Sequence, residues 1–78
     1  MPKKYPKNAL ANVSLWARLV RVNPDRGYGD GLFEVMAATD REYTLRPYKR
    51  PGPDIQIFKA HTTRAPIEET RAYLEKGR

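Results

Sequence analysis

The sequence predicts a small α+β domain: a four-stranded, curled, mostly antiparallel sheet with one C-terminal helix. Three observations carry that reading. Apolar residues alternate with polar ones in short runs between Leu15 and Leu45, and the runs are separated by turn chemistry. A proline-rich break at 47–54 is followed by one further apolar run. The last stretch begins with a proline, carries acids first and bases last, and so reads as a helix.

Residues 1–8 form a basic N-terminal arm. Two prolines and three lysines offer little to bury, and Lys3 and Lys4 are placed to reach along a phosphate backbone. Residues 9–78 form the single domain. The stretch 9–22 reads two ways. Ala9, Leu10, Val13, Ala17 and Val20 share a helical face behind a capping Asn8, whereas Val13, Leu15, Ala17 and Leu19 alternate as in a strand. The stiff Val20-Arg21-Val22 end favours a strand over 13–22, with a bulge that turns Val20 and Val22 inward. Pro24 ends it, because proline disfavours the α region at Asn23.

Residues 23–31 then form a long glycine-rich loop. Leu32–Ala37 is the second strand, with Phe33, Val35 and Ala37 on one face. A tight turn at 39–41 leads to a third strand over Glu42–Arg46, with Tyr43 and Leu45 inward. Pro47, Pro51 and Pro53 forbid regular structure up to Asp54, and Ile55–Lys59 is the fourth strand. In the helix, Pro66 suits the first turn. Glu68 and Glu69 complement the positive end of the dipole, Lys76 and Arg78 the negative end, and Gly77 is placed to cap it. Its expected stripe is Ile67, Thr70, Arg71 and Leu74, with Tyr73 beside it. The expected core is Leu15, Leu19, Val22, Phe33, Val35, Tyr43, Leu45, Ile57, Ile67 and Leu74. A curled meander of this kind is shared by small nucleic-acid-binding barrels of SH3-like or OB-like shape, an analogy of fold that implies no function.

A chain of 78 residues has little room for a deep substrate cavity. It lacks cysteine, so it forms no disulfide and no thiolate metal site, which suits a reducing compartment. No run reaches the ~18 apolar residues of a membrane span, and the basic start is not followed by a signal-peptide core. The expectation is a soluble, intracellular, cytoplasmic protein. The loop Arg26-Gly27-Tyr28-Gly29-Asp30-Gly31 lacks the spacing of a phosphate loop, and a strand follows it. A calcium-loop register from Asn23 fails at its fifth and sixth positions, Gly27 and Tyr28. His61 is the single histidine and has no companion ligands or nucleophile in the sequence pattern, and the carboxylates are scattered. The chain therefore reads as non-catalytic, with no cofactor, no metal and no small-molecule substrate.

What the residues do carry is charge with aromatics. Fifteen Lys and Arg against nine Asp and Glu give +6, which favours an anionic partner. Arg46, Tyr48, Lys49 and Arg50 sit in a proline-stiffened loop fit to contact phosphates and stack a base. Arg18, Arg21 and Arg41 extend the patch, Tyr28 is a second exposed aromatic, and Trp16 is either core or a stacking platform. The expected function is nucleic-acid binding through phosphate contacts and limited stacking. The alternative is a protein-binding adaptor or inhibitor, of phage or mobile-element type, whose target surface is acidic.

Overall fold

The computed structural model describes residues 8–76. The basic residues Lys3 and Lys4, and the capping Gly77, lie outside the described residues. Five strands form one antiparallel sheet: β1 (Leu19–Val22), β2 (Leu32–Ala38), β3 (Glu42–Pro47), β4 (Ile55–Phe58) and β5 (Thr62–Arg64), in spatial order β4-β3-β2-β1-β5. The C-terminal helix α1 spans Ile67–Lys76.

The sheet has five strands, not the expected four. β5 escapes the sequence pattern because Thr62-Thr63-Arg64 has no apolar alternation. It is a strand because β1 offers it a free edge, pairing Val20 with Arg64, Arg21 with Thr63 and Val22 with Thr62. β4 and β5 stand at opposite edges of the sheet, yet only the 3-10 turn Lys59–His61 separates them. In a flat sheet four strand spacings would put those edges ~19 Å apart, whereas the four Cα steps from Phe58 to Thr62 reach at most ~14 Å even when extended. The sheet must therefore curl. Two bonds fix the turn across the gap: Lys59 N–H donates to the Arg41 carbonyl, and Asn23 N–H to the His61 carbonyl. The curl is shown; barrel closure of SH3-like or OB-like kind is not, since β4 and β5 are not paired.

The first strand starts later than expected. Ser14 Oγ accepts the Trp16 N–H at 3.2 Å and opens a 3-10 turn over Leu15–Ala17, so the strand begins at Leu19. The register then needs no bulge in β1: Val20 and Val22 alternate inward from Leu19 onward. A register shift lies instead in β2, between Val35 and Ala37, and it hands the inward position to Ala38 opposite Tyr43, rather than to Ala37.

The concave face holds Val20, Val22, Phe33, Val35, Leu45 and Ile57, with Tyr43 and Ile55 partly buried against them. The segment before β1 closes this face. Val13 and Ala17 are buried in it, Leu10 packs on it, and Ala38 N–H bonds the Ala9 carbonyl. Leu19 points to the other face, beside its cross-strand partner Glu34, and is fully buried there. The helix covers that face: Tyr73 reaches Glu34, Thr70 is 1% exposed, and Ala65 N–H bonds the Leu19 carbonyl. β1 is thus covered on one face at Val20 and Val22 and on the other at Leu19, so three of its four residues are apolar and enclosed.

Leu15 and Ile67, expected in the core, are 57% and 64% exposed. The 3-10 turn swings Leu15 outward and sends Ala17 inward instead. The helix is rotated toward Tyr73, so its buried line runs through Thr70, with Tyr73 and Leu74 half-buried, and Ile67 is left on a flank.

Candidate nucleic-acid interface

The loop after β3 returns to the sheet rather than standing away from it. Tyr48 N–H donates to the Leu32 carbonyl at 3.0 Å, and Arg50 Nη1 donates to the same oxygen at 2.7 Å. The Arg50 guanidinium also lies 4.6 Å from the Phe33 ring centre, a cation–π contact on the rim of the core. Gly31 makes room for it: a Cβ at that position would sit 2.5–2.9 Å from the guanidinium. Arg46 Nε pairs with Asp54 at 3.2 Å across the base of the loop. The two arginines expected to meet phosphate thus hold the loop shut, Arg50 most firmly. Arg50 remains exposed, but its guanidinium is already engaged within the fold.

Lys49 is different. It makes no ion pair among the described residues, and its Nζ lies 5.4 Å from the Tyr48 ring centre. Its φ of 63° places it in the left-handed region, and no other non-glycine among the described residues has a positive φ. An L-residue there carries a strain of about 1–2 kcal/mol. The loop keeps a lysine at a position that glycine would occupy without cost.

Helix α1 supplies the other wall. Tyr73 and Lys76 are three residues apart and share one flank. Tyr73 stands edge-to-face on Tyr48, with ring centres 5.4 Å apart. Its hydroxyl donates to Glu34 Oε2 at 2.6 Å. Burial, reinforced by that bond, raises the Tyr73 pKa well above the ordinary phenol range. Glu34, Tyr48, Lys49, Tyr73 and Lys76 line one open cleft of ≈ 500 Å³. Arg18, half-buried, adds its positive charge beside Tyr73. The cleft thus gathers two phenol rings, two ammonium groups and the Glu34 carboxylate along one opening.

The remaining candidates are dispersed. Arg21 is exposed on β1, between Leu32 of β2 and Thr63 of β5. Arg41 lies in the β2–β3 turn, in a shallow surface hollow with Asp40, Glu42 and Phe58. Tyr28, 44% exposed, faces a separate hollow with Asp25, Arg26, Glu42 and His61. His61 stands edge-to-face on Phe58, and the threonines after it are spent on local bonds, Thr62 Oγ1 to the Lys59 carbonyl and Thr63 Oγ1 to Asn23 Oδ1. Among the described residues no group of three His, Cys, Asp or Glu is placed to hold a metal ion, and no helix is long and apolar enough to cross a membrane.

The structure thus brings Tyr48 and Lys49 together with Tyr73 and Lys76, and with Arg18 nearby. Composition and spacing do not single out Tyr73 and Lys76 as site residues; their common flank on an amphipathic helix is the signal that could have found them. The charge is also unevenly shared. Lys3, Lys4, Lys7 and Arg78 supply four of the six net positive charges, and residues 8–76 hold eleven bases against nine acids. No protein-family model, no curated protein and no solved structure matches this chain.

Proposed function

We propose that the protein binds single-stranded nucleic acid through the Tyr48–Tyr73 cleft, without catalysis, and that the lysines of residues 1–7 add phosphate contacts. The observation that carries this reading is the pair of tyrosine rings 5.4 Å apart, flanked by Lys49 and Lys76 in one cleft. Aromatic faces between cations are the combination that grips an unpaired strand: rings stack on bases of any sequence, and ammonium groups replace condensed counterions on phosphates. The strained φ of Lys49 supports the same reading, because a position that favours glycine carries a cation. The curled sheet with a three-residue link between its edges suits a small barrel of SH3-like kind as the scaffold.

The test is a titration of a fluorescent single-stranded oligonucleotide at several salt concentrations. Replacing Lys49 and Lys76 together by Ala should weaken binding and flatten the log–log salt slope by about 1.4, at about 0.7 for each phosphate that is no longer neutralised. Lys49→Gly should move two properties in opposite directions. It relieves backbone strain and so should hold or raise stability, by up to about 1 kcal/mol, while weakening binding. Unchanged affinity and slope in the folded double variant would remove this cleft from any nucleic-acid site.

A further inference from the structure

The opposite flank of α1 borders a second cleft with a different character. Trp16, Arg64, Ala65, Ile67, Thr70 and Arg71 line a trough of ≈ 490 Å³. Its exposed apolar residues are large: Trp16 is 42% exposed and Ile67 64%, and neighbouring Leu15 57%. Ala65 and Thr70, both buried, form the floor. Arg64 and Arg71 stand at its rim, and neither side chain makes an ion pair or hydrogen bond among the described residues. No carboxylate lines the trough.

We infer that this trough is a docking surface for a short, acidic, amphipathic segment of a partner protein, with apolar side chains against Trp16 and Ile67 and carboxylates on Arg64 and Arg71. The chemistry selects this occupant. Branched aliphatic side chains such as Leu15 and Ile67 offer no flat face to a base, whereas exposed apolar groups around a tryptophan, rimmed by arginine, have the composition of a protein hot spot. Two unpaired arginines and no acid call for negative charge on what docks. Residues 1–7 cannot supply it, since they hold three lysines and no acid. A second copy in a two-fold arrangement would bring the same two arginines to both sides of the contact. The trough takes only a few side chains, so the contact is of the weak, transient class.

Trp16 is the single tryptophan of the chain, so its emission reports on this trough directly. The probe is a synthetic helical peptide with Leu and Phe on one face and Glu on the other. Titrating it into the full-length protein should give a saturable blue shift of Trp16 that weakens with salt. Ile67→Asp should reduce affinity by at least about ten-fold, the loss expected on removing a central apolar anchor. Arg64→Glu with Arg71→Glu should reduce it as well, while single-stranded oligonucleotide binding at the Tyr48 cleft stays as in the parent protein. Amide chemical shifts confirm that each variant is folded. The inference is overturned by any of three results: no saturable shift, or a shift indifferent to Ile67→Asp; an oligonucleotide that produces the same Trp16 shift with the same dependence on Arg64 and Arg71; or a sedimentation-detected dimer that Ile67→Asp dissolves, which would assign the trough to a second copy.

Discussion

The two long loops of this protein look alike in sequence and behave differently in structure. Residues 23–31 and 48–54 each carry an arginine, a tyrosine, glycine, proline and aspartate. In the first, the Arg26 side chain reaches, among the described residues, only its neighbour Asp25, at 3.4 Å, and Tyr28 is 44% exposed. In the second, Arg50 bonds the Leu32 carbonyl and covers Phe33, Asp54 is paired with Arg46, and Tyr48 packs on Tyr73. An ion pair between adjacent exposed residues contributes ~0–1 kcal/mol. A guanidinium bonded to a backbone oxygen eighteen residues away ties a loop to the sheet. The difference teaches that a basic residue is a binding candidate only after its intramolecular partners are known. By that measure the Arg50 guanidinium is already engaged within the fold, whereas Lys49 makes no ion pair among the described residues.

The largest expected effect separates the loops most sharply. Arg50→Ala should destabilise the protein by about 1.5–3 kcal/mol, the range for a hydrogen bond to a charged group, read from the midpoint of urea unfolding. Next come the glycines. Gly31→Ala should cost about 1 kcal/mol by pushing the guanidinium off its carbonyl, and should add little in an Arg50→Ala background, since the two changes break one contact. Gly27→Ala, at φ 83° with open space around it, should cost about 1–2 kcal/mol through backbone strain and be independent of Arg50. A coupling between Gly27 and Arg50 as large as that of Gly31 would erase the distinction between the loops.

A smaller effect is set by pH. The Tyr73 pKa is raised in the fold, so the folded state favours the neutral phenol. Its contribution is intact below the ordinary value of 10 and is lost as pH climbs above it. Amide exchange at residues 48–50 should therefore loosen with alkali before that of residues 23–31 changes, beyond the intrinsic rise in exchange rate, and Tyr73→Phe should abolish the extra alkaline sensitivity. The smallest effect is close to zero: Arg26→Ala should change stability by no more than about 0.5 kcal/mol, as an exposed substitution does.

The sheet's central strands and the helix are legible from alternation, turn chemistry and the order of charges from Pro66 to Lys76, because those signals are local. Leu15 defeats the alternation because Ser14 caps a 3-10 turn there, and a single capping serine leaves the apolar pattern of a strand undisturbed. β5 is invisible because three polar residues become a strand only when a distant edge is offered to them. In the site, the aromatic and the charge at Tyr48 and Lys49 are legible from composition. The role of Arg50 is not, since it depends on a carbonyl eighteen residues earlier and on the space left by Gly31. Tyr73 and Lys76 need the helix to be docked before their flank has a meaning.

The three-residue link at Lys59–His61 also orders events in time. β2, β3 and β4 follow one another along the chain and pair as neighbours, so each pairing joins strands consecutive in sequence. β1 emerges from the ribosome before any of them, yet its outer edge waits for β5, which lies far downstream. Until Thr62–Arg64 has been made, β1 has one hydrogen-bonded side and one bare one. Truncation anywhere before residue 62 would thus leave the earliest strand with a bare outer edge, a template for pairing with another copy.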